Sequence, residues 1–545
     1  MGNSLSRVGV LLAVGVALAG SACTQKIQIA SFGLSALEKR ANDASDLPPQ
    51  PAVRSCGEPG PAPDGRVFEE GEAGHRKFGA NLIGGPVNSV ISDDTHTIRT
   101  VPKTFHGMND GFFYDGYYNR PDTNLALSQL NYFTGIPVSG VLMDWYLALD
   151  PAANGRNFAS YQLPVNPGLP ENVFDASKKS GARQVLWGLN ETTNNGNDNS
   201  PAGYAAIAKY LKDHGVDVMG FQEGNEPECA GCGTNISKAQ YLQGYENAVA
   251  GVRTVYPSIP VFGPATFNYG PGGWNDGDWV ADFLKAEGNI HGKGIAAGVS
   301  FHYYNKSPTL SVAFAQDVGQ ATADVRNLAE ANDSRDLDLI ISEFGANNAG
   351  NPVAASGAFM ATAMNLAAGV REVALQGLSG YQYFGVHGIR NPYASGGGGW
   401  GLLTNDNDGS VNLASPAYYA FRMTTLMGQR LHPTLQGIAG NGTLVTYGTS
   451  RADGSQQIMA INKSGGVLKM GFGFKGFDPS GGPVYIHTLV GASLSAETAV
   501  YNGKSMPAPS SLPAPSVDCV RTGTFAYELA PFSITVLDFV GPSLK

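Results

Sequence analysis

Val216-Asp217-Val218-Met219-Gly220-Phe221-Gln222-Glu223-Gly224-Asn225-Glu226-Pro227 is a short, largely apolar run that stops at an acid and a proline. Such a run reads as a strand with Glu226 at its carboxyl end, the face on which a β/α barrel carries its chemistry. A second run, Leu339-Ile340-Ile341-Ser342-Glu343-Phe344-Gly345, has the same build. Two carboxylates at two strand ends are the equipment for cutting a glycosidic bond. One protonates the leaving oxygen and the other attacks the sugar or activates water.

Around these motifs the chain alternates as a parallel barrel requires. Strands are expected at Thr104 to Met108, Gly140 to Trp145, Gln184 to Leu189, Val216 to Gln222, Pro260 to Pro264, Gly298 to Tyr304, Leu339 to Ser342 and Ala374 to Phe384. That makes eight, the barrel number, with Glu226 after the fourth and Glu343 after the seventh. Helical periodicity fills Tyr204 to His214, Lys238 to Tyr256 and Val312 to Ala331, and the small apolar stretch Gly357 to Gly369 suits tight packing on a barrel. Beyond about residue 432 the period shortens. Thr443 to Thr449, Gln456 to Asn462, Leu468 to Phe474, Val484 to Leu489 and Phe532 to Phe539 read as sandwich strands parted by Gly, Ser, Asp and Pro turns. The expected organisation is a signal peptide over 1–22, a tether with N-terminal strands over 23–78, a (β/α)8 TIM barrel over 79–432, and a β-sandwich over 433–545. No internal repeat points to a solenoid.

The chain has 545 residues, 42% hydrophobic and 15% charged, as in a well-packed chain long enough for more than one domain. Its 35 basic against 45 acidic residues leave a net charge of −10, which argues against nucleic acid or a heavily sulfated glycan as partner. Seventy-two glycines suggest long loops on a regular scaffold. At the amino terminus, Arg7, the apolar Val8 to Ala19 and the small Gly20-Ser21-Ala22 form an export signal too short to span a membrane. Small residues before Cys23 also fit a bacterial lipobox, with Gly20 where Leu is usual. Lipidation at Cys23, and hence membrane attachment, is expected, with plain cleavage after Ala22 as the alternative. The product is then an outer-membrane or cell-surface lipoprotein, or else periplasmic or secreted.

Export favours disulfides. Cys229-Ala230-Gly231-Cys232 follows Glu226 closely and suits a local disulfide that fixes the loop. A redox pair lacks its βαβ setting, and a zinc site lacks a second pair of ligands. Cys56 and Cys519 then pair by elimination, joining the start of the folded chain to its end.

The glutamates after strands four and seven, with Asn225 before the first, resemble glycoside hydrolase clan A, whose members are retaining enzymes on (β/α)8 barrels. Leu186-Trp187-Gly188-Leu189-Asn190, Gly224-Asn225-Glu226-Pro227 and Phe301-His302-Tyr303-Tyr304 most resemble the heparanase and β-glucuronidase family, glycoside hydrolase family 79. Ala530-Pro531-Phe532-Ser533-Ile534-Thr535-Val536-Leu537 resembles the last strand of the sandwich that such enzymes carry, to which an N-terminal segment also contributes. The resemblance implies Glu226 as acid/base, Glu343 as nucleophile, and Asn225 as partner of the hydroxyl beside the anomeric carbon. Tyr303, with Tyr304 as second choice, matches the hydroxyl that orients the nucleophile, and His302 stands beside it. It implies a carbohydrate substrate and no cofactor or metal.

Asn109 and Asp110 after strand one, Asn190 and Glu191 after strand three, and Gln382 on strand eight are further candidates for hydroxyl contacts. Trp145, Trp187, Trp274, Trp279 and Trp400 are candidates for stacking on pyranose faces, with Trp400 after strand eight in a Gly-rich loop. Where the family carries an Arg-Phe-Gly-Gly-type segment after the second strand, this chain reads Met143-Asp144-Trp145-Tyr146. Together with the lack of clustered Lys and Arg, that departure argues against heparan sulfate. A neutral or uronic-acid-containing polysaccharide stays open. A non-catalytic glycan-binding lipoprotein and a transglycosylase are the alternative readings; retention of both carboxylates and Asn225 argues against the first.

Overall fold

The computed structural model describes residues 88–102, 105–109, 121–130, 132–136, 181–182, 184–189, 191, 199–228, 236–267, 269, 277–288, 295–304, 314–334, 337–345, 360–385, 387–389, 401–405, 412–436 and 443–541. Eight parallel strands close a barrel: His106–Asn109, Phe133–Ile136, Val185–Leu189, Val218–Glu223, Val261–Thr266, Gly298–Tyr304, Asp338–Gly345 and Gly380–Phe384, barrel strands one to eight in chain order. Strand eight pairs with both seven and one, which closes the ring.

Two strands depart from expectation. The second is Phe133–Ile136 and not Gly140 to Trp145, which falls outside the described residues. The segment that follows strand two therefore begins at Pro137, and the comparison made at Met143 to Tyr146 no longer bears on substrate. Strand eight starts at Gly380, because Ala374 and Leu375 complete the helix Met360–Leu375.

Inside the barrel, Leu186, Phe262 and Ile340 from strands three, five and seven form a cluster of their own. Neighbouring strands make room with glycine. Gly298 on strand six pairs with Phe262, and a Cβ there would lie 2.4 Å from the Phe262 ring. This is the layered filling of a packed barrel, in which alternate strands supply the bulk.

The helices form the outer layer. In Pro201–Asp213, Ser200 accepts a hydrogen bond from the Gly203 N–H, and Tyr204, Ile207, Ala208 and Leu211 line the buried face at helical spacing. Lys238–Val255 opens on a capping box of Ser237 and Gln240 and buries Tyr241, Tyr245, Ala248, Val249 and Val252. The two helices meet closely at Gly251, where a Cβ would stand 2.3 Å from the Pro201 carbonyl oxygen.

Apart from a small three-stranded sheet of His387–Ile389, Leu403–Asn405 and Asn412–Ala414, the remaining strands build a β-sandwich. Its smaller sheet runs Thr434–Gln436, Asn88–Ser92, Leu468–Phe474, Thr524–Leu529. Its larger sheet is nine-stranded and starts at Arg99–Thr100. Asn88–Ser92 and Arg99–Thr100 thus belong to the sandwich although the barrel was expected from residue 79. In the larger sheet Ile458, Ala460, Leu537 and Phe539 face the smaller sheet, whereas Met459, Ile461, Ile534 and Val536 join the barrel core. Both faces of Ser533–Phe539 are therefore buried along its whole length.

Candidate active site

Strand four ends at Glu223, and the chain then turns sharply. Gly224 has φ +79° and Glu226 φ +52°, the second a left-handed conformation that a glutamate adopts only when its surroundings hold it. They do so through backbone bonds: Gly224 N–H to Leu189 O and Glu226 N–H to Ala265 O, both 2.9 Å. The Glu226 side chain is thereby presented at the barrel mouth beside Asn225, each 8% exposed.

Glu343, on strand seven, lies opposite. One oxygen of each glutamate and a ring nitrogen of His302 all fall within 4.8 Å of one another. His302 Nδ1 is 2.8 Å from Glu226 Oε1 and 3.4 Å from Glu343 Oε2, so one buried imidazole bridges the two acids. The Tyr304 hydroxyl donates to Glu343 Oε2. Strand six alternates, so that His302 and Tyr304 point inward and Tyr303 outward. Burial raises the Tyr303 phenol's pKa, and so does Asp317 on the helix Phe314–Ala331 behind it. The hydroxyl at Glu343 is therefore that of Tyr304, the second choice of the sequence, and not that of Tyr303.

The electrostatics follow from burial. Burial pushes Glu226 up to about 8. Glu343 is pushed up to about 7 by burial and by Glu226, with His302 and the Tyr304 hydroxyl opposing. Burial pulls His302 down, against the pull of Glu343 and Glu228, and keeps the imidazole neutral. Near neutral pH this leaves a protonated carboxyl facing an ionisable one, the unequal pair that acid/base and nucleophilic work requires. The same three residues have the number and type of atoms to ligate a metal ion. Of those atoms, His302 Nδ1 is hydrogen-bonded to Glu226 Oε1, and Glu343 Oε2 accepts from the Tyr304 hydroxyl.

Other candidates are placed as follows. Asn109 ends strand one; its amide donates to Ser342 O at 2.7 Å, and its Oδ1 is buried without a partner among the described residues. Gln382, on strand eight, is 1% exposed. Trp187 is core. Trp279 sits in the helix Gly277–Glu287, edge-on to Tyr241. Asp110, Asn190, Trp145, Trp274, Trp400, Cys23, Cys56, Cys229 and Cys232 lie outside the described residues. Cys519 is disulfide-bonded, and its partner lies outside them too.

Three further acids gather behind the turn. Glu223 accepts from the Tyr204 hydroxyl at 2.7 Å, outside the barrel wall, and burial pushes it up to about 8. Glu228 accepts from the Phe267 N–H and is pushed up to about 7, chiefly by burial. Glu191 is raised well above the usual carboxylate range, again mainly by burial. The alternation of strand four sets Glu223 on the opposite face from Gln222, but only the flanking helices reveal that this face is buried.

Residues 177–369, which hold strands three to seven and both glutamates, match the family model described as Glycosyl hydrolase family 79, N-terminal domain. No curated protein matches the chain. Among solved structures, an alpha-L-arabinofuranosidase from Thermotoga maritima, 14% identical, aligns over 83% of this chain and 99% of its own with a TM-score of 0.61. A GH51 arabinofuranosidase from Xanthomonas axonopodis pv. citri, 16% identical, aligns over 83% and 100% with a TM-score of 0.60. A GH30 endoxylanase from Clostridium papyrosolvens C71, also 16% identical, aligns over 83% and 99% with a TM-score of 0.52. The chain is thus a glycoside hydrolase with a clan A fold, similar to family 79, and its substrate is a carbohydrate.

Proposed function

We propose that the chain is an exported, retaining β-glycoside hydrolase that acts by double displacement. The observation that carries this reading is the approach of Glu226 and Glu343 oxygens to within 4.8 Å. Retaining carboxyl pairs stand roughly 5 to 5.5 Å apart, inverting pairs roughly 6.5 to 9.5 Å. In the first step a Glu343 oxygen attacks the anomeric carbon while the Glu226 proton passes to the leaving oxygen. This gives a glycosyl ester on Glu343 and a free alcohol. In the second step Glu226 takes a proton from water as the water oxygen attacks the same carbon, which releases Glu343 as carboxylate and restores the Glu226 proton.

Tyr304 holds one Glu343 oxygen and thereby aims the other, and neutral His302 orients Glu226 through Nδ1. Asn225, whose side-chain oxygen has no partner among the described residues, fits the hydroxyl beside the anomeric carbon. Among the described residues the side chains acting on Glu343 are Glu226, His302 and Tyr304, none of them a lysine or arginine. That favours a neutral or uronic-acid-containing polysaccharide or oligosaccharide over a sulfated one. The signal-like residues 1–22 and the lipobox-like residues before Cys23 support an outer-membrane or cell-surface location, with a periplasmic or secreted one as the alternative.

Screening against aryl glycosides and polysaccharides identifies the sugar, and proton NMR of the first anomer released tests the mechanism. Retention is expected; an inverted first product sinks the double displacement. Glu343→Gln should lower kcat on the order of 10⁴-fold with an unchanged melting temperature.

A further inference from the structure

We infer that Glu228 is a positioning residue for the acid/base, an inference that rests on the function just proposed: its carboxyl clasps the chain beyond strand five, to which Glu226 is tied at both main chain and side chain. Strands four and five pair Phe221 with Val261 and Gln222 with Phe262. Extended past the turn at Gly224, that register sets Glu226 opposite Thr266. It is kept there, since the Glu226 N–H donates to Ala265 O at 2.9 Å. The next bond of a parallel ladder would run from the Phe267 N–H to Glu226 O. In the structure the Phe267 N–H donates to Glu228 Oε1. A side-chain oxygen two residues on thus takes the place of a main-chain carbonyl.

The substitution has a local reason. Glu226 at φ +52° and Ala265 at φ +55° are both left-handed. Two such residues joined by one hydrogen bond persist only where their neighbours over-determine them. Glu228 supplies a second tie between the same two segments. Its Oε2 is buried and makes no hydrogen bond, so the hold of this carboxyl on strand five's loop runs through Oε1.

The clasped chain reaches the acid/base by a second route. Two residues beyond Phe267, the Tyr269 N–H donates to His302 O at 2.8 Å, and His302 Nδ1 lies 2.8 Å from Glu226 Oε1. The main chain and the carboxyl of Glu226 are both referred to one stretch of chain, and Glu228 grips that stretch between the two attachments. Glu343 takes its main chain from strand seven and a hydrogen bond from Tyr304. Loss of the clasp should therefore displace the proton donor more than the nucleophile.

A carboxyl accepts through an oxygen whether charged or neutral, and so does a glutamine amide, whereas alanine leaves the Phe267 N–H without this acceptor. Because Glu226 is needed as proton donor only when the leaving group is poor, damage passed through Glu226 must depend on the leaving group. A general loosening of the fold would lower every rate alike.

The test uses the full chain, a series of aryl glycosides of the sugar found by the screen, and kcat and KM for each. For Glu228→Ala we expect a kcat loss of about 10² for the poorest leaving groups, less than about threefold for the best, and wild-type behaviour for Glu228→Gln. Should Glu228→Ala not fold, Glu228→Asp, one methylene short of the Phe267 N–H, should show the same graded loss. An equal loss across the series, no loss, or a Glu228→Gln variant as impaired as Glu228→Ala overturns the inference and leaves the hydrolase reading intact. A wild-type chain that cleaves no glycoside overturns both.

Discussion

Removing the Tyr304 hydroxyl takes a proton donor from Glu343 Oε2, and with it one of the two influences that oppose burial at that carboxyl. Glu343 should then become harder to ionise. In the wild type, kcat/KM needs Glu343 charged, which it gains as pH rises through about 7, and Glu226 protonated, which it loses as pH rises through about 8. The profile is a bell whose two limbs belong to the coupled pair rather than to either acid alone. Tyr304→Phe should lower kcat about tenfold or more and shift the acid limb to higher pH, while Tyr303→Phe leaves both limbs in place. A Tyr303→Phe variant with the shifted limb would contradict the strand-six alternation. That assignment was not legible in the sequence, because a register shift between Phe301 and His302 decides which of two adjacent tyrosines faces inward.

Helix packing supplies a prediction at the next scale up. Gly251→Ala improves helix propensity by up to about 1 kcal/mol, but the new Cβ would meet the Pro201 carbonyl at 2.3 Å and Tyr204 Cβ at 2.8 Å. Backbone does not yield as a flexible side chain does, so a net loss of about 1 to 3 kcal/mol is expected, read by thermal or urea unfolding. An unchanged midpoint would mean that the helices separate at little cost. The elements that sequence revealed were those with distinctive ends. Strand four finishes on Glu223, strand seven carries Glu343 two residues before its end, and Ser237 with Gln240 marks the start of Lys238–Val255. Phe133–Ile136 escaped notice because four residues broken by a glycine carry too little apolar pattern. The start of strand eight was obscured because the helix before it is buried almost all round, which erases its period. Glu223, behind the catalytic turn, was unreadable for a related reason, since Tyr204 and Tyr241 reach it from separate helices.

Across the whole molecule, the two ends of the described chain meet in one sandwich. Asn88–Ser92 runs parallel to Leu468–Phe474, and Thr524–Leu529 lies on that strand's other side. Cys519 is disulfide-bonded, and we expect Cys56, upstream of the same N-terminal strand, to be its partner. Non-reducing peptide mapping should recover a Cys56–Cys519 crosslink; a link from Cys519 to Cys229 or Cys232 would refute it. Closing so long a loop is worth up to about 4 to 5 kcal/mol in the chain-entropy picture, so Cys519→Ser should lower the unfolding midpoint measurably. The parallel pairing of Asn88–Ser92 also sets the order of events at birth. The ribosome delivers this strand first and its neighbour Leu468–Phe474 only after the entire barrel, so the sandwich stays open until synthesis is nearly over.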